Sequence, residues 1–104
     1  MSRRVEYHPL AAEELRIAHE WYEARVAGLG GRFFESFVAA VARVGDWPDS
    51  GVPVLVAADG RVVNRKVTVG GFPWAVGYEA GDGVLLVLAV FHQHRLPDYW
   101  AGRT

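Results

Sequence analysis

The stretch from Arg61 to Phe91, RVVNRKVTVGGFPWAVGYEAGDGVLLVLAVF, decides the fold. Arg61 to Val69 alternates between two faces, as a half-buried strand does. Gly70-Gly71 breaks that pattern, Phe72 to Tyr78 supplies a second run, and Gly81-Asp82-Gly83 turns it into Val84 to Phe91, the most hydrophobic strand of the chain. Short connections between successive runs place neighbours antiparallel, so the stretch predicts a β-meander. Just upstream, Val52 to Ala57 is β-branched and apolar. Ala58-Asp59-Gly60 carries hairpin-turn chemistry that joins it to the same sheet.

The first half has a different period. Arg4 to Tyr7 suits a short strand, and His8-Pro9 gives an extended residue followed by a proline suited to the first turn of a helix. From there Ala11, Leu15, Ala18, Tyr22 and Val26 recur at spacings of a helix. Glu13, Glu14, Arg16, Glu20 and Glu23 occupy the other side, which reads as a solvated acidic face. Gly28-Leu29-Gly30-Gly31 marks the helix end and a tight turn. A second helix is predicted from about Arg32 to Gly45, with Phe34, Phe37, Val41 and Val44 in one stripe and Phe33, Val38 and Ala40 broadening it. Trp47-Pro48-Asp49-Ser50-Gly51 ends the helical half. The predicted class is α+β: a short N-terminal strand, then a helical hairpin packed on an antiparallel β-meander, in a single domain over residues 1–104.

Composition narrows the function classes. A chain of 104 residues with 51% hydrophobic and 22% charged residues can fill one core. It has no cysteine, which excludes a disulfide framework and a thiolate metal site. Met1-Ser2-Arg3-Arg4-Val5-Glu6 lacks the apolar run of a signal peptide. Val84 to Phe91 is far shorter than the ~18–20 residues of a membrane helix. The expectation is a cytoplasmic protein without a membrane association or a cofactor. The net charge is −1, but residues 1–59 carry six arginines against nine acids, whereas residues 60–104 carry five basic residues against three acids. A phosphate-bearing partner would therefore meet the second half, although a solvated surface of mixed charge is the simpler reading.

Particular residues carry a resemblance. Ala11-Ala12-Glu13-Glu14-Leu15, Trp21-Tyr22-Glu23, Gly28-Leu29-Gly30 with Arg32-Phe33, and Val44 through Trp47-Pro48 resemble the first half of a RelE/ParE family toxin. In the second half, Arg65-Lys66-Val67, Phe72-Pro73-Trp74, Tyr78 and Val87-Leu88-Ala89-Val90 are similar to the plasmid-stabilisation branch of that family. So are His92, Arg95, Pro97, Tyr99, Trp100 and Arg103. The resemblance spans residues 4–103. It implies the toxin of a type II toxin–antitoxin module, bound in a hetero-oligomer by a cognate antitoxin. It also implies one of two targets: the ribosome with its mRNA, which RelE-like members cleave, or DNA gyrase, which ParE-like members poison without recognised catalytic residues. A binding module of the same fold without toxicity is the third possibility.

RNA cleavage through the 2′-hydroxyl needs a base, cations for the phosphorane and an acid for the leaving oxygen. His92, Arg95 and Tyr99 are the best candidates for that catalytic work, and Tyr99 falls where the ribonuclease-type relatives carry a tyrosine. Where those relatives have an arginine after the last strand, this chain has Gln93. Arg61, Arg65, Lys66, Trp74 and His94 are candidates for contacting RNA or another target. If the valines of the Arg61–Val69 strand pack under the helices, Arg65 is a partly buried structural cation or sits at a strand end, and Lys66 is exposed on the open side of the sheet. Tyr99 and Trp100 have an equally good structural reading, as rings that cap the core. His92 and His94 lack a third ligand at metal spacing, so no metal is expected.

Overall fold

A computed structural model describes residues 3–95 and 97–104. Met1 and Ser2, which opened the stretch read for a signal peptide, lie outside the described residues. Strand β1 (Arg4–Tyr7) leads into helices α1 (Pro9–Arg25) and α2 (Leu29–Asp46), then a short 3-10 turn at Pro48–Ser50. Strands β2 (Val52–Val56), β3 (Val62–Thr68), β4 (Trp74–Gly81) and β5 (Val84–His92) follow. All join one five-stranded sheet of order β1-β5-β4-β3-β2. The meander from β2 to β5 is antiparallel throughout, and β1 adds to its far edge parallel to β5, with Arg4 opposite Val84 and Tyr7 opposite Val87.

The helical hairpin covers one face of this sheet. Proline at the first position of α1 needs no amide partner there, and the His8 Nδ1 accepts from the Leu10 amide to cap the helix. Ala11, Ala18 and Tyr22 of α1 and Phe33, Phe37, Val41 and Val44 of α2 bury against Val67, Val76, Leu85 and Val87. The stripe on α2 is rotated from the predicted one: Phe34 and Val38 are 44% and 47% exposed, while Phe33 and Ala40 are buried. Helix α2 also begins earlier than predicted, at Leu29, so Gly30 and Gly31 lie inside it. Gly28, with φ 87°, makes the turn. Gly30 sits so close to α1 that a Cβ there would lie 2.8 Å from the His19 carbonyl oxygen. The Glu23 carboxylate caps this helix start by accepting from the Gly28 and Gly30 amides at 2.9 and 3.0 Å, and both bonds draw it below the usual carboxylate range.

The other sheet face has a smaller core of its own. Trp100, fully buried in the turn after β5, packs with Ala75, Leu88, Ala89 and Phe91. Its ring lies over Gly77, where a Cβ would come within 2.7 Å of it. A bulge after Gly77 lets β5 run past β4 by one residue there, with Gly77 opposite Ala89 but Tyr78 opposite Val87. Because β5 is buried on both sides, its sequence is continuously apolar and not alternating.

Candidate functional site

Strand β3 sorts the candidate cations by alternation. Arg65 points to the helix side, where it donates to the carbonyls of Gly51 (2.9 Å) and Asp49 (3.3 Å). On the neighbouring strand Tyr78 donates to the Pro48 carbonyl at 2.6 Å and accepts from the Gly51 amide. Together the two side chains clamp the 3-10 turn onto the sheet, a structural task for Arg65. Lys66 lies on the opposite face with Thr68, half-buried. Arg61 precedes β3 in the β2–β3 turn and is exposed.

At the far ends of β4 and β5, Trp74 stands opposite His92. Trp74 is half-buried: its ring meets Phe33 and Tyr22 edge-on, at 5.7 and 6.5 Å, and it lines a groove with His92. The His92 ring lies 5.6 Å from Trp74, and its Nδ1 accepts from the His94 amide at 3.1 Å. Strand β5 ends at His92, so His94 belongs to the following turn, although the two imidazoles remain 5.1 Å apart. Among the described residues no group of three or more His, Asp or Glu side chains could hold a metal.

Tyr99 and Arg95 lie in the last turns of the chain, with the Arg95 guanidinium 4.5 Å above the Tyr99 ring. The Tyr99 hydroxyl donates to Glu14 of α1 at 2.7 Å. The same carboxylate accepts from the Val90 amide at 3.0 Å and pairs with Arg103 at 3.1 Å, and Arg103 also donates to the Leu88 carbonyl. Burial and the Glu14 carboxylate push the Tyr99 phenol up to about 12. Sequence reading placed Glu14 on the solvated face and missed this cluster. The signal was the position of Glu14, three residues after Ala11 and four before Ala18, both buried.

The three proposed catalytic residues do not line one cavity. His92 faces a groove of about 330 Å³ beside α1, with Ile17, Trp21, Pro73 and Trp74. Arg95 faces a cavity of about 360 Å³ that contains Lys66, Gln93 and Arg43. Tyr99 lines neither.

Among the described residues no helix is long and apolar enough to cross a membrane. No curated protein matches the chain. The solved structure described as the chromosomal ParDE TA system from P. aeruginosa superposes with a TM-score of 0.64 at 14% identity, covering 88% of this chain and 96% of that one. That likeness speaks for the fold. The profile described as ParE toxin of type II toxin-antitoxin system, parDE, matches residues 5–97, from β1 to the turn after β5. The chain therefore belongs to the ParE toxin family of type II toxin–antitoxin systems.

Proposed function

We propose that this protein is a cytoplasmic growth-inhibiting toxin that acts by binding DNA gyrase and not by cutting RNA, and that an antitoxin silences it. The observation that carries this reading is the position of Tyr99. Its hydroxyl donates to a carboxylate and its phenol is raised to about 12, so it is a poor proton donor or acceptor at neutral pH. In support of this reading, the His92 and Arg95 side chains line different cavities, and Tyr99 lines neither of these two. Inhibition by binding needs a surface only, and the family profile names ParE.

The groove beside α1 suits the antitoxin. Ile17 and Trp21, one helical turn apart, are 51% and 47% exposed beside Pro73 and Trp74. An amphipathic antitoxin helix laid there would bury these rings with its own apolar face. Arg25 stacks on Trp21 with its guanidinium 3.3 Å from the ring centre, providing a cation at the groove end for an acidic residue of that helix.

The test is toxicity on induced expression of single-site variants without an antitoxin gene. Tyr99→Phe, checked for folding by circular dichroism, is expected to inhibit growth as the parent does. Separate loss of toxicity in Tyr99→Phe, His92→Ala and Arg95→Ala, each folded and each still bound by antitoxin, would restore the ribonuclease reading.

A further inference from the structure

The groove beside α1 is walled by Ile17, Trp21, Tyr22, Pro73 and Trp74, and β5 ends at its edge with His92. An imidazole changes charge between about pH 5 and pH 8, so this side chain brings a titratable group to an otherwise aromatic and aliphatic surface. One hydrogen bond fixes the form of the ring. His92 Nδ1 accepts from the His94 amide at 3.1 Å, which needs that nitrogen unprotonated and leaves the ring proton on Nε2. Protonation makes Nδ1 a donor facing a donor, and the bond is lost. The turn then keeps the Gln93 amide on the Pro73 carbonyl and the Arg95 amide on the His92 carbonyl, at 2.9 and 3.0 Å, while its His94 corner is released.

The groups around the ring favour its neutral form. Strand β4 presents the Trp74 ring at 5.6 Å, and the turn presents the His94 imidazole at 5.1 Å, where two positive rings repel. Helix α1 contributes the Tyr22 ring and, at the groove end, the Arg25 guanidinium on Trp21, a further cation. The Glu14 carboxylate of α1 is engaged by the Val90 amide, Tyr99 and Arg103, and the Arg95 guanidinium is turned to the Tyr99 ring. Among the described residues the groove lining includes no Asp or Glu.

We propose that His92 makes this groove proton-sensitive: an apolar antitoxin helix seats on the neutral ring and is released when the ring is protonated. The inference rests on the reading that the antitoxin occupies this groove. In the open groove water solvates an imidazolium. A helix laid over Ile17, Trp21 and Trp74 removes that water and offers an apolar face in its place. Binding and protonation therefore oppose each other, each weakening the other by the same factor, and affinity falls as pH falls through the imidazole range. Acidification frees the toxin.

The experiment is a calorimetric titration of the full chain with its antitoxin at about pH 7.5 and about pH 5.5, with amide-shift NMR of the chain alone across the same range. Affinity is expected to be roughly tenfold weaker at the lower pH, and the His94 amide shift to follow protonation of the His92 ring. His92→Asn supplies an uncharged acceptor for the His94 amide and should abolish most of the pH dependence, whatever its affinity at the higher pH. His94→Ala keeps the amide and should keep the dependence. Circular dichroism at both pH values checks that each variant is folded. The inference is overturned if the parent binds equally well or more tightly at the lower pH, or if His92→Asn weakens with acid as the parent does. Trp21→Ala separates the two ways of failing. Unchanged affinity in that variant overturns the groove assignment and the proton effect with it; weakened affinity without a His92-dependent pH effect overturns the proton effect alone.

Discussion

Replacing Glu14 by alanine removes one carboxylate that accepts from three parts of the chain: Tyr99, Arg103 and the Val90 amide. In the variant the Tyr99 hydroxyl and the Val90 amide lose their acceptor. Arg103, with 16% of its side chain exposed, loses its carboxylate and keeps the Leu88 carbonyl and the face of the Tyr99 ring. An unpaired buried polar group costs about 1–3 kcal/mol, and removal of one partner of a buried ion pair about 3–5 kcal/mol. Water reaches the edge of this cluster, so these costs do not add in full, and a loss of about 3 kcal/mol is expected. For a domain of this size that lowers Tm by roughly 12–24 °C. Glu14→Gln keeps the volume and one acceptor oxygen and is expected to lose about half as much. The assay is urea unfolding at pH 7 followed by tryptophan fluorescence, with Arg103→Ala and the double variant completing a cycle. A Glu14→Ala protein within about 0.5 kcal/mol of the parent would refute the argument that this cluster holds the C-terminal turn to α1.

Gly77→Ala places a methyl within 2.7 Å of the Trp100 ring, which must shift out of a packed core. The expected loss is about 1–3 kcal/mol, measured by the same unfolding curves together with a red shift of Trp100 emission. Tyr99 carries an alkaline signature: its folded value is about 12 against an ordinary 10.0, so the neutral phenol is the form the fold prefers. Its contribution to stability is complete below the unfolded value and is lost as pH rises from about 10 toward 12. Phenolate absorbance and stability curves over that range check it, and a Tyr99 that ionises at the ordinary value would contradict it. Trp21→Ala removes an exposed ring from the groove beside α1. It is expected to leave Tm nearly unchanged and weaken antitoxin binding by about 2 kcal/mol, roughly thirtyfold, in a calorimetric titration.

The sheet was legible because its chemistry is local: alternation, glycine turns and the apolar β5 follow from which faces each strand buries. The side that Arg65 and Lys66 occupy also follows from the period of two. Three features resisted because they depend on contacts between elements. Gly30 reads as a helix breaker, yet it sits inside α2 because α1 leaves no room for a Cβ. Phe34 and Val38 read as core, yet the sheet needs only one stripe of α2. Glu14 reads as surface, yet it meets Tyr99 and Arg103, partners 85 and 89 residues away that no local pattern reveals. The residue types of the candidate site were legible, but the cavities that their side chains line were not. His92 and Arg95 are three apart in sequence and open to different cavities because β5 ends between them.

The central claim is that growth inhibition proceeds through a bound target and not through RNA cleavage. Its most direct measurement is induced expression in a bacterial host without an antitoxin gene, with labelled incorporation into DNA and into protein followed over the first minutes. The account predicts that DNA synthesis falls first while protein synthesis continues. An early collapse of protein synthesis with DNA synthesis still running would contradict it.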